Sequence, residues 1–259
     1  MKNVVYYLVL LSGTCCKQSP TQQKQIDEES NATQHSTVIY TTIQDIPPPS
    51  GYNRVNVNAK SFQYWLRTLP LKKNKTVYLY NGKVKPNQSA QFAVIDIDRS
   101  KTDLQQCADA VMRLRAEYLF SQQQYDLIRF MDFNNKWYNW KGGNSRPTFD
   151  RYLQEVFGCC GSASLEKQLR PVNDFTAIKS GDVLIKGGFP GHAVIVADMA
   201  IDSKGKKVFM LVQGYQPAQD IHLLINPIDA TLSPWYNIPN MNNIITPEWI
   251  FNKQQLKAW

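Results

Sequence analysis

Apolar residues fall at helical spacing over much of the first half of the chain, whereas the last third breaks into short apolar runs cut by glycine and proline. Phe62, Trp65, Leu66 and Leu69 lie on one helical face and end at Pro70, which predicts a short amphipathic helix. Val77 to Tyr80, running into Asn81 and Gly82, predicts a strand and a tight turn, and Gln91 to Ile97 predicts a second strand. From Thr102 to Tyr118 the pattern is helical: Leu104, Cys107, Ala108, Val111, Leu114 and Tyr118 share a face. Thr102 with Gln105, or Asp103 with Gln106, would cap this helix, and either cap turns Cys107 inward in its second turn. Tyr125 to Phe130 predicts another strand. An aromatic loop from Trp137 to Gly143 follows, and then a helix through Phe149, Tyr152, Leu153 and Val156 that Gly158 stops.

Four runs follow: Asp182 to Ile185, His192 to Ala197, Val208 to Val212, and Ile221 to Ile225. Their connections are too short for crossover helices, so the sheet they form should be antiparallel. Asp202 to Lys207 supplies a hairpin loop. Helices first and a strand meander afterwards make an α+β fold.

The N-terminus has a different logic. A cationic Met1-Lys2 start, an apolar run from Val4 to Leu11, and small residues before Cys15 and Cys16 read as a secretory signal with a lipobox-like end. The run is far shorter than the roughly 18–20 apolar residues of a spanning helix. The expectation is a signal peptide and lipobox over 1–16, with Cys15 or Cys16 acylated. A polar tether follows over 17–45, holding His35, and one globular domain over 46–259 begins at the Pro47 to Gly51 breaker cluster. Such a chain would be exported and anchored to a membrane of the bacterial cell envelope. The net charge of +8 is scattered and forms no basic stripe with interleaved aromatics, so no nucleic-acid partner is expected.

Five cysteines without a Cys-x-x-Cys pair, and three histidines, argue against structural zinc, and no cofactor is expected. Beyond the lipobox, Cys107, Cys159 and Cys160 remain. A thiol nucleophile needs a base, and the base needs a group that fixes its tautomer. Cys107 near a helix start, His192 opening a strand after a glycine-rich loop, and Gln213 ending the next strand supply that set. Gln105 or Gln106 would join backbone N–H groups as oxyanion donors. A core role for Cys107, or a disulfide from it to Cys159 or Cys160, is the competing reading. His222 alternates with Ile221 and Leu223 and should face solvent. Asp198 lies too far along its strand from His192 to orient it. Arg113 and Glu117 form a surface pair, or border a cleft if their helix is covered on both sides.

The stretch from Leu104 to Gln213 resembles the NlpC-type, papain-like cell-wall peptidases and amidases. The carriers are Cys107 in its Leu104 to Asp109 setting, Gly181 to Ile185, Gly191 to Val196, and Gln213. That resemblance implies an antiparallel sheet packed against an N-terminal helical part. It also implies a thiol hydrolase of amide bonds, with Cys107 as nucleophile, His192 as base and Gln213 as ring-orienting group. Over a longer span the chain resembles a family of bacterial lipoproteins described only as a domain of unknown function, DUF4846. Gln106 to Tyr118, Gly188 to Ile195 and Gln216 to His222 carry that likeness. The alternative is a non-catalytic binding lipoprotein in which Trp137, Tyr138 and Trp140 stack on glycan or peptide.

Overall fold

The computed structural model describes residues 39–238 and 243–259, so the expected signal, the candidate acylation residues Cys15 and Cys16, and most of the expected tether lie outside the described residues. Chain order runs β1 (Tyr52–Arg54), α1 (Phe62–Arg67), β2 (Gln91–Val94), α2 (Cys107–Ser121), β3 (Arg129–Met131), β4 (Trp137–Asn139), α3 (Arg146–Cys159) and α4 (Ser162–Gln168). It continues with β5 (Arg170–Pro171), β6 (Val183–Lys186), β7 (His192–Asp202), β8 (Lys207–Gln213), β9 (His222–Leu224), β10 (Tyr236–Asn237), β11 (Asn243–Ile245), β12 (Ile250–Asn252) and β13 (Leu256–Ala258). A large antiparallel sheet has the order β2-β9-β8-β7-β6-β13-β5, with β1 also pairing β7 and β10 pairing β8. The four expected C-terminal strands are its consecutive centre, joined by short connections as their spacing requires. The fold is therefore α+β. Among the described residues no helix is long and apolar enough to cross a membrane.

Strand β7 shows why the sheet is buried on both faces. Ala193, Ile195 and Ala197 enter the core under α1, α2 and α3, while Val194, Val196 and Met199 enter a second core with Phe209, Leu211, Phe251 and Leu256. A β-bulge between Val196 and Asp198 lets Asp198 follow Ala197 without crossing to the second core. There its carboxylate, wholly buried, accepts from Arg54 Nε at 2.7 Å and from Arg67 Nε at 2.8 Å. Asp198 thus ties β1 and α1 to the sheet and has no part in orienting His192.

Several expected elements shift. The Val77 to Tyr80 segment makes isolated bridges and no strand. Tyr125–Leu127 is a 3-10 turn, and the strand starts only at Arg129. Packed chain also begins before the proline cluster, because Ile43 and Ile46 are fully buried.

The largest difference concerns α2, which starts at Cys107 and not at Thr102 or Asp103. The Asp103 carboxylate is spent elsewhere, accepting from the Ala218 N–H at 2.6 Å and the Gln106 side-chain amide at 3.2 Å. Gln106 is the N-cap residue, and Asp109 reaches back to its N–H at 3.0 Å. Cys107 consequently occupies the first helical position.

Candidate active site

Strand pairing dictates the central arrangement. Where β8 meets β9, Gln213 lies opposite His222; on the other side of β8, the chain leads to the start of β7, where His192 stands. His192 and Gln213 are 2 % and 1 % exposed, so their polar atoms must find partners inside the protein. They do so in one connected series. His192 Nε2 lies 2.9 Å from Gln213 Oε1. Gln213 Nε2 lies 2.7 Å from Glu248 Oε2 and 3.1 Å from His222 Nε2. His222 Nδ1 lies 2.9 Å from the Asp220 carbonyl oxygen.

The protons in this series have one consistent assignment. Glu248 is a carboxylate ion-paired with the buried Lys85 at 2.7 Å and can only accept, so the Gln213 amide must point its NH2 group there. The second amide hydrogen goes to His222 Nε2, whose ring then donates Nδ1–H to Asp220. The Gln213 carbonyl oxygen is left to accept from His192 Nε2–H, which leaves His192 Nδ1 as a free base. Burial drives the His192 pKa down to about 4, partly offset by the Gln213 hydrogen bond and Glu248, with Lys85 lowering it further. His222 is likewise brought to about 4 by burial. Both rings are neutral near pH 7.

Cys107 and His192 line the same cavity, of about 490 Å³, walled by α2, by the α3–α4 junction at Gly158 to Ser162, and by the Gly188 to Gly191 loop, with Tyr215 and Trp249 at its side. The His192 ring is held by Tyr215 (centroids 5.0 Å, edge-on), Trp249 (5.3 Å) and Phe251 (5.9 Å, stacked). Burial pushes the Cys107 thiol up, opposed by the backbone N–H groups of Ala193, Ala108 and Cys107 itself, while Asp109 adds to the rise. The site therefore holds a neutral thiol and a neutral imidazole.

Two glycines make the close approach possible. A Cβ on Gly214, directly after Gln213, would lie 2.7 Å from the Gln106 carbonyl oxygen and 2.8 Å from Ala110 Cβ; one on Gly191, directly before His192, would lie 2.4 Å from both the Gly188 carbonyl oxygen and Ser162 Oγ.

Of the residues singled out in the sequence, Cys107 and His192 share the cavity and Gln213 bonds to His192 from behind it. Gln106 lines the cavity, whereas the Gln105 side chain turns away and accepts from Arg113 at 2.8 Å. His222 is fully buried and does not face solvent, because the sheet is covered on both sides and strand alternation there separates two cores. Cys107, Cys159 and Cys160 are free thiols, so the disulfide is not formed; Cys159 is exposed and Cys160 lines the cavity. Trp137, Tyr138 and Trp140 do not line it: Trp140 packs on Phe120, Phe149 and Tyr152, Tyr138 is buried, and Trp137 stands exposed on the β3–β4 hairpin beneath Arg129. Arg113 is buried and Glu117 partly buried, and they border a separate cleft with Arg146, which grips Glu117 through both terminal nitrogens.

Glu248, Lys85, His222, Asp109, Tyr215 and Trp249 were not legible in advance. Only Asp109 carried a local signal, an acid in the first turn of the cysteine helix. Comparison with known proteins finds the family described as Domain of unknown function (4846), matched over residues 43–146 and 132–258. No curated protein and no solved structure matches the chain.

Proposed function

The chain belongs to the family described as Domain of unknown function (4846), whose description names no activity, and from the geometry of its cavity we propose a thiol hydrolase of amide bonds with a papain-like, NlpC-type site. One observation carries this reading: His192, with Nε2–H committed to Gln213 and Nδ1 therefore left unprotonated, lines the cavity shared with the thiol at the head of α2.

Cys107 Sγ attacks the amide carbonyl carbon as His192 Nδ1 takes the thiol proton. Free N–H groups in the first turn of α2 and the Ala193 N–H favour negative charge there, on sulfur first and on the carbonyl oxygen as it develops. His192 passes the proton to the departing amine, leaving a thioester. A water molecule then attacks the thioester, His192 takes its proton, and the acid is released as the thiol is restored. Peptide of the cell envelope is the substrate class that the NlpC resemblance suggests.

Anchoring at a membrane through a lipid on Cys15 or Cys16 completes the proposal, supported by the residue pattern of the first sixteen positions. Incorporation of a fatty-acid analogue that survives replacement of both cysteines by serine would remove that part.

The test of the hydrolase is the pH dependence of iodoacetamide alkylation at Cys107, compared with His192→Ala. The wild type should label on a plateau that falls only as His192 protonates near pH 4, and the variant should label appreciably only where the raised thiol ionises by itself. Identical profiles, or an inert Cys107, would sink the reading.

A further inference from the structure

The protein is basic overall, at +8, yet the charged side chains on the wall of the Cys107 cavity are Asp103 and Asp109, with no lysine or arginine among the described lining residues. Asp103 is satisfied by the Ala218 N–H and the Gln106 amide. Asp109 is not. It is 6 % exposed; one carboxyl oxygen accepts from the Gln106 N–H at 3.0 Å, while the other, Oδ1, is buried without a hydrogen-bond partner.

A buried carboxyl oxygen left unpaired is costly, and because Asp109 lines the cavity, a ligand there supplies the missing donor once the carboxyl turns toward it. Two donors would serve. A carboxyl that keeps its own proton would offer an O–H to a neutral or anionic ligand; an ionised one would take an ammonium. The all-acidic wall favours the second, because it attracts cations and repels anions. Asp109 reaches back across the first turn of α2 to the Gln106 N–H and lines the same cavity as Cys107, so a cation held by it shares that cavity with the thiol.

We propose that Asp109 is the anchor of a subsite for a primary ammonium group of the substrate, placed next to the bond that Cys107 attacks. This rests on the thiol-hydrolase reading for its purpose, although not for its detection. Burial pushes the Asp109 carboxyl well up, and a bound ammonium would reverse that by favouring the ionised form.

Methanethiosulfonate reagents carrying an ammonium, no charge or a sulfonate test the subsite on the full chain, each rate at Cys107 being normalised to that with free cysteine. These reagents trap any accessible thiol at mildly alkaline pH, so the measurement needs no help from His192. The ammonium reagent should be favoured at Cys107 by about tenfold or more, the scale of one charge-assisted hydrogen bond, and Asp109→Asn should abolish the preference. The asparagine retains an acceptor for the Gln106 N–H, and Asp103→Asn, which alters wall charge without touching the orphan oxygen, should keep most of the preference. Alanyl-alanine protecting Cys107 assigns the site to an α-ammonium, and Nα-acetyl-lysinamide protecting it assigns a side-chain ammonium. No cation preference, one that survives Asp109→Asn, protection by neither compound, or a Cys107 closed to all three reagents would overturn the subsite. The hydrolase reading fails separately, through an alkylation profile indifferent to His192.

Discussion

A single hydrogen-bond direction decides how His192 can act. Gln213 holds the ring by its carbonyl oxygen only because Glu248 and His222 claim both amide hydrogens. Were the amide reversed, its NH2 would face His192, its oxygen would face the Glu248 carboxylate, which would lose one of its donors, and His222 Nε2 would be left unpaired, at roughly 1–3 kcal/mol for each lost partner. Gln213→Ala should therefore lower the plateau of Cys107 alkylation by about 10- to 100-fold, the range seen when a group that orients a reactive ring is removed. Its acid limb should move to lower pH, since the Gln213 bond favours the protonated ring and its loss leaves burial opposed by Glu248 alone. An unchanged limb with a simple loss of folded protein would reduce Gln213 to a structural residue. Cys107, His192 and Gln213 were legible in the sequence because each sits at the end of a periodic segment. Glu248 and Lys85 were not: they are 163 residues apart, and nothing local to either announces that they meet behind Gln213. His222 was misplaced for a different reason, since alternation in a strand implies a wet face only when one side of the sheet is open.

At the scale of elements, the site depends on how closely α2 lies against the sheet. The sequence located that helix but not its first residue, because both Thr102 and Asp103 satisfy a capping rule before Cys107 and only tertiary contacts decide where the helix begins. The Ala218 N–H takes Asp103, and the helix then begins at Cys107. Gly214 sets the approach distance from the other side. In Gly214→Ala the new methyl meets a backbone carbonyl and the Cβ of Ala110, neither of which can rotate away, so α2 must shift. Overpacking of this kind costs about 1–3 kcal/mol. Denaturant unfolding should show that loss, together with slower Cys107 alkylation in the protein that remains folded. Stability and labelling both equal to wild type would mean that α2 has slack. The Asp198 clamp is independent of this contact: Asp198→Ala leaves Arg54 and Arg67 facing a vacated buried site and should cost about 3–5 kcal/mol.

Across the whole molecule, buried titratable groups pull stability in opposite directions as pH falls. His192 and His222 bind their proton near pH 4 in the folded protein against an ordinary 6.5, so the unfolded chain takes up protons first and stability drains away between those values. A displacement of that size corresponds to about 3 kcal/mol for each ring before coupling between them is counted. Asp109 and Asp182 act with the contrary sign. Burial raises both carboxyls, Asp182 to about 6, so each withholds stability at neutral pH and returns it as pH falls toward the ordinary carboxylate range. The two effects overlap between pH 6.5 and 4, and the wild-type protein should therefore lose little stability across that interval. The double variant Asp109→Asn/Asp182→Asn keeps the acceptors that Gln106 and Lys179 use and removes only the carboxyl titrations. It should unfold at higher denaturant than wild type at pH 8, and its midpoint should then fall more steeply toward pH 4.5 as the histidine loss stands alone. Parallel midpoint curves for the two proteins would show that these carboxyls ionise as they do in water, and would remove the electrostatic reason for reading Asp109 as a group that awaits a cation.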